Sequence, residues 1–357
     1  MDNRNIFLID SDKNYSRHSV EELHSLKLNQ WKGWSCSAGL RTLYIDFDGN
    51  VWRATCGEGG WLGNINSATG PTFFKEVSDS KWIICSKATC ACGADMAISK
   101  AKNPDDRYRY FTFDGRAEES LFLHKRDTVD PKAIYSQETE KFKTIIWDLG
   151  RLCNFDCHYC SKNSHNNFDP VKNLKFFLNA YENIKIWNYS DERIKFSMTG
   201  GEPTVYKDYL PFVKTLKKDD HIIHTTTNGS NTVEYYSELA QYSDIAFSLH
   251  LEYVKRLGIE KFLNNIKAAA ETTESGHENN TDARFNWVIV RIMLDPGNLD
   301  AAKMVYDTVK TKLENYKNFV LTVDTVHVAD VDLNAPGKIL YEYSQEERDW
   351  LNWVHKN

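Results

Sequence analysis

The sequence predicts an α/β protein: a partial (β/α)6 TIM-like barrel behind a small β-rich, cysteine-bearing amino-terminal module. Three observations carry this. Six short apolar runs alternate with amphipathic stretches from residue 144 onward, the unusual motifs fall directly after those runs, and five of the eight cysteines cluster ahead of them. Strands alternating with helices make a parallel sheet, because parallel neighbours need a crossover long enough to hold a helix. Six such units form an open version of the eight-unit barrel.

At 357 residues the chain is long enough for one large domain or two of moderate size, each with its own core. A net charge of -6 argues against a polyanion, and so against nucleic acid, as the main partner. The amino terminus lacks the basic and apolar regions of a signal peptide, and no apolar run approaches the roughly twenty residues of a membrane span. A cytoplasmic protein without membrane attachment is expected. In that compartment clustered cysteines are reduced thiols suited to metal binding rather than disulfides.

Taken in order, residues 6–9 read as a strand and 20–28 as a short helix. Leu43 to Phe47 and Val51 to Ala54 alternate across an Asp48-Gly49-Asn50 turn, a hairpin signal that sets Cys36 and Cys56 at its two ends. Cys85, Cys90 and Cys92 follow at spacing C-x4-C-x-C. Five thiols this close in sequence point to a metal or iron-sulfur site, with tetrahedral zinc as an alternative, since lone buried cysteines are scattered rather than grouped. Residues 101–141 are charged and broken by Asp and Pro, the composition of a linker or strap. The expected division is therefore a module over 1–100, a strap over 101–141 and a barrel over 142–357.

Within the barrel, strands are expected at 144–149, 194–198, 222–227, 245–249, 285–293 and 319–328. Helices are expected at 171–184, 206–216, 233–242, 259–272, 299–313 and 345–355. Asp169 suits the cap of the first helix and Pro170 its first turn. Ile259, Phe262, Leu263, Ile266, Ala269 and Ala270 make one apolar face. Reactive groups in such folds lie at the carboxyl ends of the strands. There stand Cys153, Cys157 and Cys160 at spacing C-x3-C-x2-C, then Gly200-Gly201-Glu202-Pro203, then Thr227-Asn228-Gly229, then Ser248, His250 and Glu252. Three thiolates on one loop hold a metal centre with one position open for chemistry.

CNFDCHYC (Cys153 to Cys160), GGEP, TNG and SLH together resemble the radical S-adenosylmethionine (radical SAM) superfamily over about residues 143–330. The resemblance implies that Cys153, Cys157 and Cys160 carry a 4Fe-4S cluster whose fourth iron chelates S-adenosylmethionine. One electron, from a donor such as flavodoxin or ferredoxin, then cleaves it to a 5'-deoxyadenosyl radical that abstracts hydrogen from substrate. It implies that Gly200, Gly201 and Pro203 admit the methionine end, that Glu202 accepts from its amino group, and that Tyr159 lies near the adenine. Ser248 and Asn228 would be polar contacts, and each also suits a helix cap. Arg291 interrupts the apolar run WVIVRIML and needs an anionic partner, either the S-adenosylmethionine carboxylate or a core carboxylate. No catalytic residue is assigned; His250 and Glu252 are candidates to meet substrate.

The upstream residues CSAG, DGNVWRATC, GNI and C-x4-C-x-C resemble the SPASM and twitch modules, which imply an auxiliary 4Fe-4S cluster. Cys36, Cys56, Cys90 and Cys92 are the expected ligands, with Cys85 as the alternative; in the family this module normally follows the barrel. The implied activity is oxidoreductase-like or peptide-maturing hydrogen abstraction from a peptide or small molecule. Nucleotide or RNA modification is the enzymatic alternative, and a non-catalytic iron-sulfur or zinc protein the alternative of another class.

Overall fold

The computed structural model describes residues 5–66, 82–90, 92–118, 121, 124–136, 141–160, 171–188, 190–278, 286–328, 339–340 and 342–356. The chain divides into two bodies. The amino-terminal body takes in Asp2–Trp147 and Phe176–Phe196; the carboxy-terminal body takes in Asp148–Lys175 and Ser197–Asn357.

In chain order the first elements are β1 (Ile6–Ile9), β2 (Asn14–His18), α1 (Val20–Ser25), β3 (Ser35–Cys36), β4 (Thr42–Ile45), β5 (Asn50–Trp52), β6 (Trp61–Asn64) and β7 (Ile83–Ile84). They continue with α2 (Gly93–Met96), β8 (Lys100–Ala101), α3 (Arg107–Tyr110), β9 (His124–Lys125), β10 (Ala133–Ser136), β11 (Lys143–Asp148) and α4 (Leu174–Trp187). Ser19 and Glu22 form a reciprocal capping box that starts α1. The expected hairpin is β4 and β5, with Tyr44 opposite Trp52 and Ile45 opposite Val51. Its turn is held by Asp46, whose carboxylate accepts from the amides of Asp48 and Asn50 and from Trp52 Nε1. Parallel to β4 runs β11, the strand that leads into the cysteine loop.

The expected strap over 101–141 is instead part of the amino-terminal body. β10 lies inside a seven-stranded sheet of order β7-β3-β8-β10-β1-β2-β9, between β8 and β1. Tyr110, Phe111 and Leu121 are buried with Phe7, Ile9 and Tyr135 in one core cluster. The charged residues that suggest a linker are exposed or half-buried, while the pair Tyr110-Phe111 and the lone Leu121 reach the core. Such spacing leaves no periodic signal to read.

The later elements are β12 (Ile194–Thr199), α5 (Tyr209–Lys218), β13 (Ile222–Thr227), α6 (Val233–Leu239), β14 (Asp244–His250), α7 (Leu251–Leu257) and α8 (Ile259–Glu278). After them come β15 (Val288–Leu294), α9 (Leu299–Leu313), β16 (Phe319–Thr325) and α10 (Gln345–Lys356). β13, β14, β15 and β16 pair in parallel in chain order, as expected of an α/β sheet. Along β15, Val288, Val290, Ile292 and Leu294 are buried, whereas Ile289, Arg291 and Met293 face the more open side. Phe262, Leu263, Ile266, Ala269 and Ala270 of α8 are buried as their spacing predicted. Each such large apolar side chain contributes about 1.5–3 kcal/mol. Asp169, Pro170 and Phe285, named above as cap, first helical residue and strand start, lie outside the described residues. α7 has no counterpart in the sequence reading.

Candidate active site

The cysteine loop of the carboxy-terminal body is clamped onto the turn after β12 by three backbone hydrogen bonds. Leu149 N donates to Thr199 O at 2.8 Å, Gly201 N to Gly150 O at 2.7 Å and Glu202 N to Leu152 O at 2.8 Å. This close approach is why two glycines stand here. A Cβ on Gly201 would lie 2.3 Å from Leu152 O, and one on Gly200, whose φ is +136°, 2.7 Å from Gly150 O. The space denied to a side chain is thus filled by the cysteine loop's own backbone. The superfamily resemblance implies in addition that these glycines admit the methionine end of a ligand.

Glu202 is 1 % exposed and ties this turn to the one after β13. Its Oε1 accepts from Thr204 N at 3.0 Å, Thr204 Oγ1 at 2.7 Å and Thr227 Oγ1 at 2.8 Å, and Oε2 accepts from Asn228 N at 2.5 Å. Burial pushes its carboxyl above the ordinary range, and the donors hold it back. Pro203 opens the short 3-10 turn Pro203–Val205 that follows. Asn228 reaches the cysteine loop: its Nδ2 donates to Asn154 Oδ1 at 2.9 Å and lies 3.9 Å from Cys153 Sγ. Asn154 in turn donates to Ser230 Oγ at 2.7 Å.

The other side of the loop rests on α7 and the ends of β14 and β15. Phe155 stacks on Tyr253 with centroids 3.7 Å apart, and Asp156 N donates to Tyr253 Oη at 2.5 Å. Tyr159 is buried and hydrogen-bonds His250 Nδ1 through its hydroxyl. Burial lowers His250 to about 4, so its imidazole is neutral at pH 7. His158 bridges two carboxylates, Glu252 Oε2 at 3.1 Å and Asp295 Oδ2 at 3.3 Å. His250 and Glu252, expected to face substrate, are thereby turned onto the cysteine loop as its supports. Ser248 lies opposite Arg291 in the β14/β15 register, on the open side of the sheet. Arg291 Nε is 3.7 Å from Asp324 Oδ2 on β16, with the two side chains 35 % and 46 % exposed. A carboxylate partner therefore exists within the protein, and it is not a core residue.

Charge on Cys157 is disfavoured by Cys153 and Cys160, and that on Cys153 by Cys160. Burial pushes Cys153 up to about 11, and raises Cys157 and Cys160 as well. In the amino-terminal body Cys85 acts likewise on Cys36, Cys36 and Cys90 on Cys56, and Cys36 and Cys92 on Cys90. Cys36 lies on β3, Cys85 follows β7, which pairs with β3, Cys56 follows β5, and Cys92 caps α2. Among the described residues no three His, Cys, Asp or Glu side chains are close enough to ligate a single metal ion. A four-iron cluster sets its thiolates apart around its corners, and its iron supplies the positive charge that favours the thiolate form. Three thiols on the loop after β11 are the donor type that group takes.

Asn154, Phe155, His158, Tyr253 and Asp295 escaped the sequence reading. The first three sit between the cysteines, but their partners come from α7 and from the loops after β13 and β15, which a lone sequence does not connect. Among the described residues, no helix is long and apolar enough to cross a membrane.

A parallel α/β sheet with a three-thiol loop after one strand and a Gly-Gly-Glu-Pro turn after the next defines a class. Residues 147–309 match the model of the Radical SAM superfamily, so this stretch of the chain is a radical SAM domain. It is similar to the GTP 3',8-cyclase of Pasteurella multocida (strain Pm70), with 28 % identity over 156 residues, 40 % of this chain and 44 % of that protein. The GTP 3',8-cyclase of Clostridium perfringens (strain SM101 / Type A) is 24 % identical over 179 residues, 48 % of this chain and 53 % of that protein. The chain thus spans about half the length of these relatives. A solved structure described as TYW1 with a lysine-pyruvate adduct bound is 14 % identical, with a TM-score of 0.28, over 52 % of this chain and 65 % of that one. At that score the likeness carries no argument.

Proposed function

We propose that this radical SAM enzyme binds a 4Fe-4S cluster through Cys153, Cys157 and Cys160, on a partial (β/α)6 barrel, and abstracts hydrogen from a small organic substrate. When bound, the cluster and S-adenosylmethionine supply reductive carbon-sulfur cleavage and a 5'-deoxyadenosyl radical. The protein's share is to hold the loop rigid. The single observation that supports the reading is the clamp of the cysteine loop onto the Gly200-Gly201-Glu202-Pro203 turn, braced through Glu202 to Asn228. Tyr159, Ser248 and Arg291 are the further residues assigned to S-adenosylmethionine, with a flavodoxin- or ferredoxin-type electron donor in the cytoplasm. A second 4Fe-4S cluster is assigned to Cys36, Cys56, Cys90 and Cys92, with Cys85 as the alternative ligand, in a SPASM- or twitch-like module.

The superfamily resemblance implies a peptide or small metabolite as substrate. Among small molecules, the relatives' printed name, GTP 3',8-cyclase, favours a nucleotide.

Anaerobic reconstitution followed by iron analysis and S-adenosylmethionine cleavage tests the reading. About eight irons from two such clusters are expected, with 5'-deoxyadenosine as product. Cys157→Ala should abolish cleavage; retained cleavage would overturn the assignment. Zinc on the amino-terminal thiols would remove the second cluster. Adding GTP or a peptide and following deuterium from labelled substrate into 5'-deoxyadenosine separates the nucleotide and peptide readings.

A further inference from the structure

The amino-terminal body buries two opposite charges among its five cysteines. Lys100 is 2 % exposed, and its ammonium donates to Asp95 O at 2.6 Å and Ile98 O at 2.9 Å while standing 4.5 Å from the centre of the Trp31 ring. These partners are neutral, so they solvate the cation without cancelling its charge. Lys100 also lies directly opposite Cys36 in the antiparallel pair of β3 and β8. Directly opposed residues project from the same face, with Cβ atoms about 4.5–5.5 Å apart. The ammonium is the largest charge favouring a thiolate at Cys36 and at Cys90.

The Asp95 carboxylate, 2 % exposed, sits on the Cys56 side. It accepts from Thr55 N at 3.1 Å, Thr55 Oγ1 at 2.6 Å and Cys56 N at 2.8 Å. Here too the immediate partners are neutral.

We propose that Lys100 and Asp95 are a pair of opposed charges that set the reduction potential of the cluster on these cysteines, Lys100 raising it and Asp95 lowering it. The proposal rests on the auxiliary-cluster reading given above. Its physics is simple. Reduction adds one electron, and therefore one negative charge, to a site of low dielectric, where a fixed cation stabilises the reduced form and a fixed anion opposes it. Neither residue needs to change protonation state.

The test uses the whole chain with Cys153, Cys157 and Cys160 replaced by alanine, so that only the amino-terminal cluster is loaded. After anaerobic reconstitution, iron and sulfide are counted, and the cluster is titrated with dithionite and mediators under EPR detection. Lys100→Met should shift the reduction equilibrium at least tenfold towards the oxidised form, a fall of about 59 mV for a one-electron couple. Lys100→Arg should restore most of the shift, and Asp95→Asn should move the midpoint upwards. Lost packing alone has no reason to give opposite signs. Unchanged midpoints in both variants, or shifts of the same sign, would overturn the tuning role while leaving the cluster in place. If Lys100→Met fails to hold iron, the direction of the Asp95→Asn shift decides. Absence of iron and sulfide in the parent variant would overturn the cluster reading and the tuning role with it.

Discussion

Gly201→Ala tests whether the clamp between the cysteine loop and the turn after β12 is what retains the cluster. The added methyl would stand 2.3 Å from Leu152 O and 2.7 Å from its carbonyl carbon, both backbone atoms with no rotamer to escape into. Non-bonded carbon contacts settle near 3.5 Å, so relief requires an opening of about 1 Å. That movement takes the bonds Glu202 N to Leu152 O, 2.8 Å, and Gly201 N to Gly150 O, 2.7 Å, out of hydrogen-bond range. Two such bonds are worth about 1 kcal/mol each and overpacking costs about 1–3, so the variant loses about 3–5 kcal/mol locally. This is below the roughly 5–15 kcal/mol stability of a folded domain, so the loop opens while the chain stays folded. The assay is iron retained per chain after reconstitution and gel filtration, beside a circular-dichroism melt. Gly297→Ala is the control: its φ is +81° but its added methyl meets nothing within 4 Å, and it should keep its iron. Wild-type iron content and S-adenosylmethionine cleavage in Gly201→Ala would refute the reasoning.

Tyr253→Phe keeps the stack on Phe155 but removes the acceptor for Asp156 N; about 1 kcal/mol is lost, and iron should leave to a chelator several-fold faster. Asn228→Ala removes an N–H near Cys153 Sγ, and the carboxy-terminal cluster should then reduce at a lower midpoint by EPR titration. Lys143 sits beside Glu192 and Trp187 in the amino-terminal body, where burial lowers its pKa from 10.5 to about 8. Between those values the unfolded chain binds the proton more tightly, so stability from this group rises with pH across about 8 to 10.5. The Tm of wild type relative to Lys143→Met should therefore increase from pH 7 to pH 10, and a flat difference would exclude the effect.

The later half of the fold was legible because burial there is periodic. β13 and α9 match their expected bounds, and the other strands end within a few residues of expectation, since each strand face and helix stripe repeats its apolar residues. The amino-terminal body was only partly legible. Its β4/β5 hairpin was marked by an Asp-Gly turn, but β10 contributes four buried residues between charged neighbours, too few to show a period. Where a sheet is built from two- to five-residue strands, long-range pairing decides the structure, and local pattern does not.

The site divides in the same way. The residues proposed to carry the chemistry, the grouped cysteines and the Gly-Gly-Glu-Pro turn, stand out in the sequence, because few other demands explain them. Residues that position them do not. Phe155, His158 and Tyr253 are ordinary core or surface types until their partners are known. The sequence also hides when one residue answers two demands. The glycine pair is required by the approach of the cysteine loop, whatever else it admits. Glu202 already spends Oε1 on three donors and Oε2 on Asn228 N, so under the proposed function Oε2, with the fewer partners, is the oxygen left to accept from an amino group. A carboxylate fixed by its neighbours presents that oxygen in one direction. If the proposed function holds, the rigidity of the turn and its capacity to orient a ligand are consequently the same property.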